Sequence, residues 1–244
     1  MRLYSDDFGY NKQVDKSIIR LIKKDKLIGL SVLSTMVNPQ SLIQLKRILK
    51  EKSNFIVGLH VNLIEGDPSQ TFVSIMTLLN SSGKFYPLFF FLAKLLLGRI
   101  DKAQIKQEIE GQLAKLKKRG FNVTMLDSHQ HTHAFSPIAE IAAEVAKEQK
   151  IPFVRSFASI KNYSFKARFT YAMLKLSAFF SYLITYKKLG LPASWNSKQK
   201  YDWTVMSWEG KAYKFTSLKL NKTAFIIHPY LSFDTNTSYQ KYLR

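Results

Sequence analysis

Phe55-Ile56-Val57-Gly58-Leu59-His60 sets four apolar residues around one glycine and stops on a histidine. A run this short and partly β-branched reads as a buried strand rather than a helix. Before it, Leu42, Leu45 and Leu49 recur at helical spacing, and after it Ile105, Ile109, Leu113 and Leu116 do the same up to Gly120. The unit repeats in both directions. Upstream, Leu3-Tyr4-Ser5 is a short strand that runs into Asp6 and Asp7. Val14, Ile18, Leu21 and Ile22 then mark a helix, and Ile28 to Val37 is the next extended run. Downstream, Val123-Thr124-Met125-Leu126 ends at Asp127, and Ile138, Ile141, Ala142 and Val145 give another helix. Ile151-Pro152-Phe153-Val154 leads into Arg155, and Ala224-Phe225-Ile226-Ile227 leads into His228. Strands alternating with helices imply parallel pairing with helices covering the sheet.

The chemistry-bearing residues follow the strands rather than precede them. All five histidines lie in three motifs: Gly58-Leu59-His60-Val61-Asn62, Asp127-Ser128-His129-Gln130-His131-Thr132-His133, and Ile226-Ile227-His228-Pro229-Tyr230. In a β/α barrel the carboxyl ends of the strands form one mouth, so groups scattered along the whole chain can meet there. An open doubly wound sheet would gather fewer of them, at its switch point only. The expected fold is a single α/β domain over residues 1–244, an incomplete TIM-like barrel, since fewer than eight strand–helix units are legible.

Composition limits the chemistry. Cysteine is absent, which excludes disulfides and thiolate metal sites, so a metal must sit on nitrogen and oxygen. The N-terminus shows no apolar signal-peptide core before Asp6, and the expected location is cytoplasmic. Lys and Arg number 37 against 17 Asp and Glu, a formal charge of +20 that favours polyanionic partners. No zinc-finger, RRM or basic-region pattern accompanies that charge, so nucleic acid is not an expected partner. An anionic membrane face or a phosphate-bearing substrate are the other readings.

The motifs also resemble the YdjC-like carbohydrate deacetylases, the group that includes chitooligosaccharide deacetylases. The likeness rests on Asp6-Asp7-Phe8-Gly9, the stretch from Gly58 to Pro68, Ser81-Ser82-Gly83-Lys84-Phe85, the Glu108 to Gly120 helix, Leu126 to His133, and Ile227-His228-Pro229. Two positions depart from that pattern. Tyr4-Ser5 stands where Asn-Ala commonly precedes the aspartates, and Tyr230 stands where glycine usually follows the proline. The resemblance implies a distorted barrel, one divalent ion held by Asp7, His60 and His129, and removal of an N-acetyl group from an amino sugar.

Three protein ligands leave an open position for water, the usual arrangement of a catalytic metal. Two imidazoles and a carboxylate suit zinc, and oxygen-rich surroundings suit magnesium or manganese. In this scheme Asp6 is the general base, His228 protonates the departing amine, and Arg155 orients Asp6 or binds substrate. His131, His133, Asn62 and Asp127 are expected to contact substrate or to support the ligands. Alternatively, a strand through residues 129–133 would put His129, His131 and His133 on one side, an all-histidine site that leaves Asp6 and Asp7 unexplained. The rival functions are hydrolysis of another ester at the same metal site and a non-catalytic membrane- or glycan-binding barrel.

Two apolar and basic segments, 85–98 and 165–188, have no part in that chemistry. The first is well short of the ~20 apolar residues that span a bilayer. Either segment reads as an interfacial helix on anionic lipid, suited to a lipid-linked substrate, or as a helix packed on the barrel or in a homo-oligomer.

Overall fold

The computed structural model describes residues 2–155, 202–204 and 223–227. Within them lie seven strands: β1 (Arg2–Phe8), β2 (Leu27–Val32), β3 (Ile56–Val61), β4 (Met125–Ser128), β5 (Phe153–Val154), β6 (Asp202–Thr204) and β7 (Thr223–Ile227). They form one sheet in the order β5-β4-β3-β2-β1-β7-β6, every pair parallel. The helices are α1 (Lys12–Lys23), α2 (Pro39–Leu49), α3 (Leu88–Leu96), α4 (Lys102–Lys118) and α5 (Ser136–Glu148). Parallel strands need helical crossovers, and α1, α2 and α5 fill that role between consecutive strands. The strand order carries the topological information. Neighbours in sequence are neighbours in the sheet, with β7 and β6 continuing on the far side of β1, which is a ring order without the reversal of a doubly wound sheet. Among the described residues no ladder joins β5 to β6, so a closed barrel is not what the sheet itself displays.

Local sequence explains the elements. Asn11 caps α1 by accepting from the backbone N–H of Gln13 and Val14, both at 2.9 Å, while Arg20 and Lys23 sit in the last turn, where the helix dipole favours cations. Val14, Ile18, Leu21 and Ile22 form its buried stripe as the spacing predicts. β2 and β3 are buried almost continuously, the pattern of strands covered on both faces. The core joins Leu30, Val32, Leu59 and Leu126 of the sheet to Ile105, Ile109, Leu113 and Leu116 of α4.

Several boundaries differ from the sequence reading, and the differences fall at the carboxyl ends of the strands. β1 runs to Phe8 and so includes Asp6 and Asp7, and β3 includes His60. β4 stops at Ser128, and residues His129–Ala134 form a 3-10 turn with Gln130 and His131 at positive φ. A strand through 129–133 is therefore ruled out, and with it the all-histidine face: period-2 alternation needs extended backbone. The segment 85–98 does contain a helix, α3. Segment 165–188, His228 and Tyr230 lie outside the described residues.

One turn fixes how β1 hands over to α1. Gly9 has φ +102, and a Cβ placed there would lie 2.5 Å from Val37 Cβ and 2.9 Å from Val37 Cα. Its N–H donates to Asp15 Oδ1 at 2.6 Å. Gly9→Ala is expected to cost about 3 kcal/mol through backbone strain and overpacking, read as a lower urea midpoint with unchanged m.

Candidate active site

Asp7, His60 and His129 meet at the carboxyl ends of the strands, from β1, β3 and the end of β4. Asp7 Oδ1 lies 3.1 Å from His60 Nε2 and 2.9 Å from His129 Nδ1, so two ring nitrogens face one carboxylate oxygen. All three residues are buried. The backbone makes this possible at a local cost. The β1–β2 register shifts between Ser5 and Phe8, and Asp7 has φ 63, a left-handed conformation that aspartate tolerates better than most residues. The irregularity turns Asp6 and Asp7 to separate partners.

Each imidazole is held by a carboxylate on its other nitrogen. His60 Nδ1 lies 2.7 Å from Asp127 Oδ1 and 3.2 Å from Ser31 Oγ, and His129 Nε2 lies 3.0 Å from Glu65 Oε2. Carboxylate–histidine pairs of this kind fix the ring and leave the inward nitrogen to a metal. The three inward atoms lie within 4.8 Å of one another. An N,N,O donor set this close, oriented from behind, fits a divalent ion. Asp6, His60 and Asp127 form a second group with the same spacing. That group has Arg155 against both carboxylates, and a fixed guanidinium charge opposes a cation there.

Arg155 is the centre of the layer behind. Its Nη1 donates to Asp6 Oδ2 at 2.7 Å and its Nη2 to Asp6 Oδ1 at 2.5 Å, while Nη2 also lies 2.5 Å from Asp127 Oδ2. One cation thus fixes both Asp6 and the aspartate that orients His60. Ser31 Oγ lies 3.3 Å from Asp6 Oδ1 and links the same groups. Tyr4, the departure from the family pattern, is buried under the guanidinium, 5.6 Å from ring centroid to Cζ, and burial raises its phenol. The bidentate fork is the strong form of the pair.

Burial opposes a proton on His60, but Asp127 and Asp7 outweigh it and lift the ring to about 10. The folded value exceeds the usual 6.5, so this contribution to stability is complete below pH 6.5 and disappears as the pH rises to about 10. Metal-free protein is expected to lose melting temperature across that window in a thermal scan. Metal must displace the proton, so loading should flatten the profile. His133 moves the opposite way: burial and then the Arg155 charge press it well below the usual value. Ser128 Oγ accepts from the His133 N–H at 2.8 Å and lies 2.5 Å from its Nδ1, so one hydroxyl holds both the backbone and the ring of His133. His133 thus braces the turn that carries His129. His131 is half-buried, with its ring centroid 6.4 Å from that of His133.

The sequence reading missed Glu65, Glu108 and Gln112. Asn62 spends its amide on the loop after β3: Oδ1 accepts from the N–H of Ile64 and Glu65, and Nδ2 donates to Thr35 Oγ1 and the Glu65 carbonyl. Both donors and both lone pairs are used, so Asn62 shapes this loop and has nothing left for substrate. Gln112 Oε1 accepts from the Asn62 N–H at 2.9 Å, and its Nε2 donates to the Asn62 carbonyl and to Glu108 Oε1. Glu108, fully buried, accepts from the N–H groups of Ser69 and Gln70. Helix α4 therefore sets the loop that presents Glu65 to His129. The available signal was a glutamate and a glutamine at i, i+4 on the apolar face of a helix.

Three comparisons bear on this arrangement. The family described as YdjC-like protein matches residues 2–241. Among curated relatives, the carbohydrate deacetylase of Thermoanaerobacter pseudethanolicus is 30% identical over 62% of this chain and 58% of its own length. That of Oceanobacillus iheyensis is 30% identical over 67% of each, and that of Xenopus laevis 30% over 62% of this chain and 48% of its own length. The match spans about half to two thirds of these relatives. A crystal structure from Enterococcus faecalis V583, provisionally described as a cellobiose-phosphate cleavage protein, shares the fold. Its TM-score is 0.55 at 18% identity, with 72% of this chain and 64% of that one covered.

Proposed function

Because this chain belongs to the YdjC-like family, we propose that it is a metal-dependent carbohydrate deacetylase that removes the N-acetyl group of an amino sugar. The observation that carries the proposal is the convergence of Asp7, His60 and His129 on one point, each imidazole backed by its own carboxylate. In this reading the three residues hold one divalent ion, zinc, magnesium or manganese, and the catalytic unit is a single barrel-like domain over residues 1–244. A bound divalent ion supplies Lewis-acid polarisation of a carbonyl and acidifies water.

The protein's own groups do the rest. Asp6 takes the proton of the attacking water on a carboxylate oxygen, and Arg155 holds that carboxylate in plane. The acetyl C–N bond breaks, acetate forms, and the amine leaves with a proton that His228 supplies. Asp127 and Glu65 keep the two rings turned inward, and His131 at the half-buried edge contacts the sugar. His133 and Asn62 act by shaping the loops on either side.

Acetate release from a panel of N-acetylhexosamine oligosaccharides, before and after removal of metal by chelation, tests the reading. Release that stops on chelation and returns with added zinc, manganese or magnesium is the expected result. Stoichiometric metal without release from any sugar would transfer the site to another ester or to a binding role. A lipid-linked sugar belongs in the panel because of the helix face described next.

A further inference from the structure

The connection from β3 to α4 runs from Asn62 to Asp101, far longer than an ordinary βα loop, and leaves the sheet at the end that carries His60. It contains α3, which is apolar on every side but one. Phe91 is fully buried, and Leu88, Leu92 and Leu95 pack on the core. The opposite side is apolar as well: Phe89, Phe90, Leu96 and Leu97 are 79%, 59%, 85% and 68% exposed. An exposed apolar helix face of this kind marks an interaction surface rather than scattered surface residues. Phe72, Val73 and Met76 of the same connection are exposed too.

Charge identifies the occupant. From Ser69 to Lys102 the bases are Lys84, Lys94, Arg99 and Lys102, and the sole acid is Asp101, whose carboxylate caps α4 through the Ala103 N–H. Lys94 lies over the Tyr86 ring at 4.6 Å, its stem along apolar surface. Four cations in the same stretch of chain as these large exposed apolar side chains suit phosphate-bearing headgroups above an acyl layer. A second copy would set one +20 chain against another, which disfavours self-association. At nine residues α3 is far too short to span, and no helix among the described residues is long and apolar enough to cross a membrane. We propose that α3 docks this protein on an anionic lipid surface, with Phe89, Phe90, Leu96 and Leu97 entering the interface and Lys84, Lys94 and Arg99 meeting the headgroups.

The test is flotation of the full chain with phosphatidylcholine vesicles, with and without phosphatidylglycerol, at low and high salt. Binding should require phosphatidylglycerol, weaken with salt, and fall roughly ten-fold or more in Phe89→Ser/Phe90→Ser. Lys84→Glu and Arg99→Glu should each weaken it roughly five-fold or more. All these positions are exposed, so circular dichroism and acetate release from soluble sugars should stay unchanged. In Phe89→Trp the emission should shift to the blue on vesicle addition. Three results would overturn the proposal: no vesicle binding, equal binding by the Phe89→Ser/Phe90→Ser variant, or a dimer in light scattering that this variant disperses.

Discussion

Arg155→Met should lower the melting temperature by about 10 °C, the largest stability loss expected from any single change at the site. Arg155 is 1% exposed, and its guanidinium is the cation against both Asp6 and Asp127. Methionine keeps an unbranched stem, shorter than that of arginine, and removes the charge, leaving two carboxylates buried side by side. Breaking a buried pair in this way costs about 3–5 kcal/mol, and a chain of this size loses about 2–4 °C per kcal/mol. Arg155→Lys keeps the charge but cannot bridge both oxygens of Asp6, so a smaller loss is expected, about half. Differential scanning calorimetry on the two variants measures both. Equal stability of wild type and Arg155→Met would mean that the two aspartates are neutral or wet, and the layered site would be wrong.

Asp7→Asn should abolish metal retention through dialysis and reduce acetate release about a thousand-fold, with little change in fold. Asparagine tolerates positive φ as aspartate does, so the backbone at φ 63 is preserved while the charged donor is lost. A loss of about 4 kcal/mol of transition-state stabilisation corresponds to that factor. Asp127→Asn is the graded comparison. It touches His60 only from behind, at 2.7 Å, and changes to such supporting carboxylates typically cost about 10–100-fold in affinity. Metal content by atomic emission, alongside the acetate assay, separates the two variants.

Much of this was legible in the sequence for physical reasons. Helical stripes such as Val14-Ile18-Leu21-Ile22 and Ile105-Ile109-Leu113-Leu116 survive folding because burial on one face is what they encode. The placement of Asp7, His60 and Asp127 after apolar runs anticipated that they would meet, since parallel strands share one end. The shape of the turns was not legible. Positive φ at Asp7, Gln130 and His131 comes from tertiary contacts, and no residue pattern in HQHTH distinguishes a strand from a 3-10 turn. β6, three residues that include Asp202, is too short to carry a period. Glu65 and Glu108 were not singled out as site residues, because a charged side chain is usually exposed. Only the loop geometry shows one against His129 and the other sealed beneath Ser69 and Gln70.

The most direct test of the account is Asp6→Asn, measured for bound metal and for acetate release on the same preparation. One metal per chain is expected, as in wild type, with release reduced about a thousand-fold, because Arg155 and Ser31 hold the Asp6 carboxylate while Asp7 faces His60 and His129. Wild-type turnover in this variant would make Asp6 a structural partner of Arg155 alone. Loss of the metal together with turnover would contradict the division of roles between the two aspartates.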